Sequence, residues 1–169
     1  MINLAEAVKL KSILAKKVQE LVSELHRSAF VTVEKGQAPK TSNRAMKVIE
    51  AELAQVRLDV RTLDRLVYEA NIINTVDFKS EKLALVEAIE LATQLRADVE
   101  LCKQFSMHEK ESVRVGYGET TMLYEIAMYE PDEYRERAIK LEKDAHKLSN
   151  LINAKNYSVE INFDDSRYF

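Results

Sequence analysis

Residues 46–70 carry the feature that most constrains this chain. Met46, Ile49, Leu53, Val56, Val60, Leu63, Val67 and Ala70 alternate steps of three and four without a miss. Between them stand Glu50, Glu52, Arg57, Asp59, Arg61, Asp64 and Arg65. A heptad repeat sustained over that length keeps one narrow face on a partner. The spacing therefore predicts a long helix over about 43–71 that forms a coiled-coil seam.

The rest of the chain reads the same way. Three glycines and two prolines in 169 residues mean few breaks, hence few and long elements. Asn3 followed by Glu6 resembles a capping box. From it Leu4, Ala7, Leu14, Val18, Leu21 and Leu25 form a stripe with Lys11 in the missing seat, predicting a first helix over about 3–28. Leu10, Ile13 and Val22 widen that stripe. Residues 29–43 hold Gly36 and Pro39 and end in Thr41-Ser42-Asn43, a loop closing on N-cap candidates; Phe30, Val31 and Val33 offer a short strand within it. After a break at Asn71–Asp77, Ser80 can cap a third helix over about 80–105, with Leu85, Ile89, Ala92, Leu95, Val99 and Cys102 on one face. Val113 and Val115, the turn Gly116-Tyr117-Gly118, and then Met122, Tyr124, Ile126 and Met128 predict a β-hairpin over about 112–129, against a competing short helix over 121–129. Glu130-Pro131 opens the fourth helix, whose stripe is Tyr134, Ala138, Leu141, Ala145, Leu148 and Ile152 and which ends near Lys155.

The expected fold is all-α: an antiparallel long-helix bundle or coiled coil of four helices with one small β-hairpin. It makes a single helical domain over 1–158, followed by an acidic-aromatic tail over 159–169. The tail has no helical period and reads as a frayed end, or as an aromatic segment for a neighbour's groove. Helices of roughly 38 Å leave apolar stripe uncovered in a lone chain, so a homo-oligomer is expected to bury it.

Composition narrows the function. With 25 Lys+Arg against 28 Asp+Glu the net charge is -3, and the basic patch that nucleic-acid binding requires is missing. One cysteine excludes an internal disulfide framework and suits a reducing compartment. No charge-free run approaches the roughly 18 residues of a membrane span, and the N-terminus has no basic start or apolar run of a secretion signal. A cytoplasmic protein is the expectation.

No catalytic constellation emerges. His26, His108 and His146 are not spaced as metal ligands, and His108 with Glu111 is the nearest approach to such spacing. His26 suits the last turn of the first helix. Cys102, on an apolar face, reads as buried and inert. There is no G-x-S-x-G elbow, and Gly116-Tyr117-Gly118 lacks the further glycine and lysine of a phosphate loop. The chain is read as non-enzymatic, with no cofactor and no metal. The candidate ligand residues lie elsewhere. Arg57, Arg61 and Arg65 stand four apart, either paired with Asp64 and Glu69 or forming an anion-binding rung. Asn71, Asn74 and Thr75 either end the second helix or line a polar pocket. Asn153 and Asn156 would share a layer with Asn71 if the second and fourth helices ran parallel. Arg61, Arg65, Asn71, Asn74, Thr75 and Asn156 thus form the candidate site for a small anionic ligand between subunits.

Several short segments carry a family resemblance. They are the opening Leu4-Ala5-Glu6-Ala7 with Leu14, Leu21, Arg27, Gly36 and Pro39, then Asn71-x-x-Asn74-Thr75, then Leu85-x-Glu87-Ala88, and last Leu141, Leu148, Ile152 and Asn156-Tyr157. Over roughly 1–158 the chain resembles the septicolysin-like family of helical bacterial proteins. The resemblance implies a helical fold and, through the family's label, a cytolysin-like pore-forming toxin as the alternative function. Ala92-Thr93 stand where the family carries an Arg-Asp pair, and the residues after Tyr157 are additional.

Overall fold

The computed structural model describes residues 1–39, 44–114 and 122–168. Among them the fold is mostly helical, with helices α1 (Leu4–Ala29), α2 (Met46–Ile73), α3 (Leu85–Ser106) and α4 (Pro131–Ser158). Three short antiparallel strand pairs accompany them: β1 (Ile2–Asn3) with β6 (Glu160–Ile161), β2 (Thr75–Phe78) with β3 (Glu81–Ala84), and β4 (Glu111–Arg114) with β5 (Leu123–Ile126). Thr41-Ser42-Asn43, Val115 and the Gly116-Tyr117-Gly118 turn lie outside the described residues. The chain divides into two compact units, Met1–Asn74 with Lys155–Phe169, and Thr75–Ala154.

In the first unit the capping box forms as the sequence implies. Asn3 Oδ1 accepts from the Glu6 N–H, and the Glu6 carboxylate accepts from the Asn3 N–H, each at 2.9 Å. α1 and α2 run antiparallel, because rising positions on one pair with falling positions on the other: Lys11 with Asp64 at 2.6 Å, Lys17 with Glu52 at 3.1 Å, and Glu24 with Arg44 at 3.0 Å. Between them Leu10, Leu14 and Leu21 meet Ile49, Leu53, Val56, Leu63 and Val67, all buried. Of the predicted α2 stripe, Val60 is half-buried and Met46 is exposed. On α1 the buried row runs through Leu10 rather than Lys11 and Val18. A straight helix turns every 3.6 residues and drifts off a strict heptad, carrying Lys11 to the rim and into its ion pair.

The C-terminal segment corrects the expectation of a frayed end. Val159, Ile161 and Phe163 are buried while Glu160, Asn162 and Asp164 between them are exposed. Ile161 pairs with Ile2, and the Leu4 N–H donates to the Val159 carbonyl at 2.8 Å. The segment has a period of two, invisible to a search for helical period. The short strand considered at Phe30–Val33 does not form, and those residues are exposed.

The second unit corrects the start of the third helix. Ser80 is no cap. It sits with Lys79 in the two-residue turn joining β2 to β3, where Lys79 takes a left-handed φ of 54°. Val76 and Phe78 are buried with Asp77 exposed between them, again a period of two. α3 begins at Leu85, where the Glu87 carboxylate accepts from the Ala84 N–H at 2.8 Å. Lys103 pairs with Glu142 at 2.9 Å and Arg96 donates to Ser149 at 2.6 Å, so α3 and α4 are antiparallel here. Leu85, Ala88, Ala92, Val99 and Cys102 face Ala138, Ala145, Leu148 and Ile152 in this core, while Ile89 of the expected stripe is exposed. Within the span where the sequence predicts a hairpin, β4 and β5 pair antiparallel. At its base Phe105, Tyr129 and Tyr134 form a ring cluster with centroids 5.1–5.2 Å apart, and the Tyr129 hydroxyl donates to the Phe105 carbonyl. Among the described residues no helix is long and apolar enough to cross a membrane.

Candidate functional site

The arginine rung of α2 resolves into two kinds of residue. Arg65 donates to Glu69 one turn on, at 2.7 Å. Asp64, the other expected partner, is taken by Lys11. Arg57 and Arg61 are exposed and have no ion pair among the described residues. Two uncompensated guanidinium groups thus stand one turn apart, at the positions where the sequence placed an anion-binding rung.

Both arginines rim an open groove of about 700 Å³ along the α1–α2 pair, whose apolar lining is Ala15, Val18, Ala54 and Val60, with Gln19 beside them. Its origin lies in the two sequence stripes. Val18 and Val60 belong to the expected seams, yet each is only half-buried, because the partner helix covers the other side of the stripe. The groove is the stripe left uncovered when two helices pack on one face only.

The asparagines behave as terminators. Asn74 is the C-cap of α2: its N–H donates to the Ala70 carbonyl at 3.1 Å and its side-chain amide donates to the same carbonyl at 3.0 Å. Its φ of -85° is extended rather than left-handed, so the side chain performs the capping. Asn71 is half-buried one turn earlier. Thr75 opens β2 opposite Ala84. Asn156 lies in the last turns of α4, its Oδ1 buried without a hydrogen-bond donor among the described residues. Asn153 lines a small groove between α3 and α4 with Thr93 and Arg96. No hydrogen bond or ion pair among the described residues joins any of Arg61, Arg65, Asn71, Asn74 and Asn156 to another of them.

Sequence reasoning missed a second polar cluster. Between α3 and α4 a pocket of about 570 Å³ is lined by Arg96, Glu100, Glu142, His146 and Ser149 over Val99 and Ala145. The Lys103 ammonium holds the Glu142 carboxyl below its ordinary range, and His146 adds in the same direction. The Ser149 hydroxyl donates to the Ala145 carbonyl and accepts from Arg96, an arrangement that fixes it structurally. Glu142, His146 and Ser149 share a helix face at steps of four and three, a signal the sequence did contain. Among the described residues no three His, Cys, Asp or Glu side chains converge as metal ligands.

No protein-family model matches the chain, and no curated protein matches it. Among solved structures it is similar to a functionally unknown conserved protein from Corynebacterium diphtheriae, at 20% identity and a TM-score of 0.63, over 95% of this chain and 98% of that one. At that identity the likeness speaks for the fold alone: nearly the whole length of this chain shares its fold with a bacterial protein.

Proposed function

We propose that the chain is a non-enzymatic, homo-oligomeric helical assembly protein, working through protein surfaces built on its long helices. The single observation that supports this is the groove of Val18 and Val60. Two stripe residues from different helices are left half-covered along one open groove of about 700 Å³. A second helical pair laid there would complete the bundle that the heptad of α2 specifies. Light scattering on the purified protein at micromolar concentration tests the reading. A mass of two or more chains is expected, and a clean monomer would overturn it.

A second reading has its own support. Arg57 and Arg61, one turn apart and with no ion pair among the described residues, match a small anion such as phosphate, held between subunits or at the groove alone. Inorganic phosphate and nucleotides should then raise the melting temperature of the wild-type protein and leave the Arg57→Ala/Arg61→Ala double variant unmoved. Equal shifts in both proteins, or none in either, would remove this version. The cytolysin-like alternative requires dye release from liposomes, and its absence across lipid compositions and pH would dispose of that alternative.

A further inference from the structure

The charges on the groove side of α2 are sorted by sign. Glu50, Ala54, Arg57 and Arg61 follow at steps of four, three and four, so they lie along one side of the helix. Ala54, Arg57 and Arg61 line the groove, and Glu50 stands one turn before Ala54. All four are exposed, and Glu50, like the two arginines, has no ion pair among the described residues. A carboxylate thus stands toward the N-terminal end of the stripe and two guanidinium groups toward its C-terminal end, with an alanine between. The α1 side of the groove offers no counter-charge. Ser12, Ala15, Gln19 and Val22, at steps of three, four and three, are all uncharged.

This order selects an occupant and its direction. A second α2 laid parallel about a two-fold axis sets every residue against the same residue of its copy, so that like charges meet and repel. Laid antiparallel, with the axis level with Gln55 and Val56, the same helix sets Arg61 against the partner's Glu50 at both ends of the contact. Arg57 then falls opposite the partner's Ala54, and Lys47 opposite the partner's Asp64. Charges flanking an apolar seam set partner choice and orientation in this way. The small Ala54 stands near the axis, where helix separation is set by the size of the side chains between.

We infer that α2 of a second copy occupies this groove, antiparallel about a two-fold axis, and supplies Glu50 as the counter-charge for Arg61. The inference rests on the assembly reading above and names the partner helix, its direction and its charge pair. The arginine site is incomplete in one chain and completed by the other. Rim pairs of this kind steer encounter and fix register, while the Val18 and Val60 surface beneath them supplies affinity. A free anion answers only the arginines, whereas a second copy answers both signs of the stripe.

Light scattering on the full-length protein at micromolar concentration tests this. Arg61→Glu and Glu50→Arg each set like charges together at both ends of the contact, and each should raise the dissociation constant about 100-fold or more, giving a monomer. Mixed in equal amounts, the two variants should recover the wild-type mass, because each chain then presents the sign the other lacks. No rearrangement within one chain produces that recovery. Lys16→Glu makes the same change of net charge as Arg61→Glu, two residues from buried Leu14 and so on the opposite side of α1, and should leave the mass unchanged. Circular dichroism should report the same helix content throughout. A mixture that stays monomeric, or a Glu50→Arg protein that keeps the wild-type mass, overturns this contact while assembly itself stands. A Lys16→Glu protein that dissociates assigns the effect to net charge, against this inference. A monomeric wild type overturns both readings. Should either reversal unfold the chain, Ala54→Lys decides: it sets an ammonium group against the partner's Arg57, dissociation is expected, and the wild-type mass overturns the contact.

Discussion

Tyr168 donates its phenolic hydroxyl to Asp59 of α2 at 2.5 Å, across 109 residues of chain, and Arg167 approaches the same carboxylate at 3.7 Å. A segment that reads as a loose acidic-aromatic end is therefore fastened to the middle of the chain's most regular helix. Burial and the neighbouring Asp59 carboxylate raise the Tyr168 phenol above its ordinary value. Tyr168→Phe should lower stability by about 1–2 kcal/mol at pH 7, since a hydrogen bond to a charged acceptor is lost. The pH dependence has a definite sign. The unfolded chain releases this proton near pH 10.0 and the folded chain keeps it, so the stability it supplies is full below that pH and falls as pH rises past it. Urea unfolding of both proteins from pH 7 to 11 should give a constant gap up to about pH 10 and a narrowing one above.

Acid should act on the α1–α2 pair through Glu52. Its carboxyl is held below the ordinary 4.5, first by the hydrogen bond from Arg44 and then by that from Lys17. A lowered carboxyl contributes stability above its unfolded value, and that contribution is lost as pH falls through the folded one. Glu52→Gln should cost up to about 1 kcal/mol at pH 7, the range of a partly exposed pair. The difference from wild type should close below about pH 4. A gap unchanged at pH 3 would show that the pair does not carry the effect.

Loss of the capping box should be visible in melting. Asn3→Ala removes the acceptor for the Glu6 N–H and should destabilise by about 1 kcal/mol, or about 2–4 °C in the unfolding midpoint. Asn3→Asp keeps an acceptor and should restore most of the loss.

Asn156 is expected to respond in the opposite direction. Its buried Oδ1 has no donor among the described residues, so Asn156→Leu breaks no hydrogen bond to that oxygen and should leave stability unchanged or raise it by up to about 1 kcal/mol. Chemical denaturation measures this directly. A loss above about 2 kcal/mol would mean that the amide holds a partner essential to the fold.

The core of the antiparallel pair should be unforgiving. Leu63 is fully buried at the centre of the α2 seam, and Leu63→Ala should cost about 2–5 kcal/mol. Leu58→Ala, on the exposed side of the same helix, should change stability by less than about 0.5 kcal/mol. Similar losses in both would contradict the assignment of the seam.

The elements governed by local rules were legible from residues alone. The heptad from Ile49 to Ala70, the reciprocal Asn3–Glu6 bonds, the proline opening α4 and the alternating Tyr124 and Ile126 each depend on neighbours within a few positions, so the sequence by itself determined the four helices and the β4–β5 hairpin. Tertiary structure decided the rest. It alone set Ile161 against Ile2, brought Tyr168 to Asp59, gave Asp64 to Lys11 instead of an arginine, and left Arg57 and Arg61 with no ion pair among the described residues. A two-residue strand or a long-range carboxylate contact has too little periodicity to announce itself. Its free energy comes from a partner distant in sequence, and which partner arrives is known only once the helices have packed.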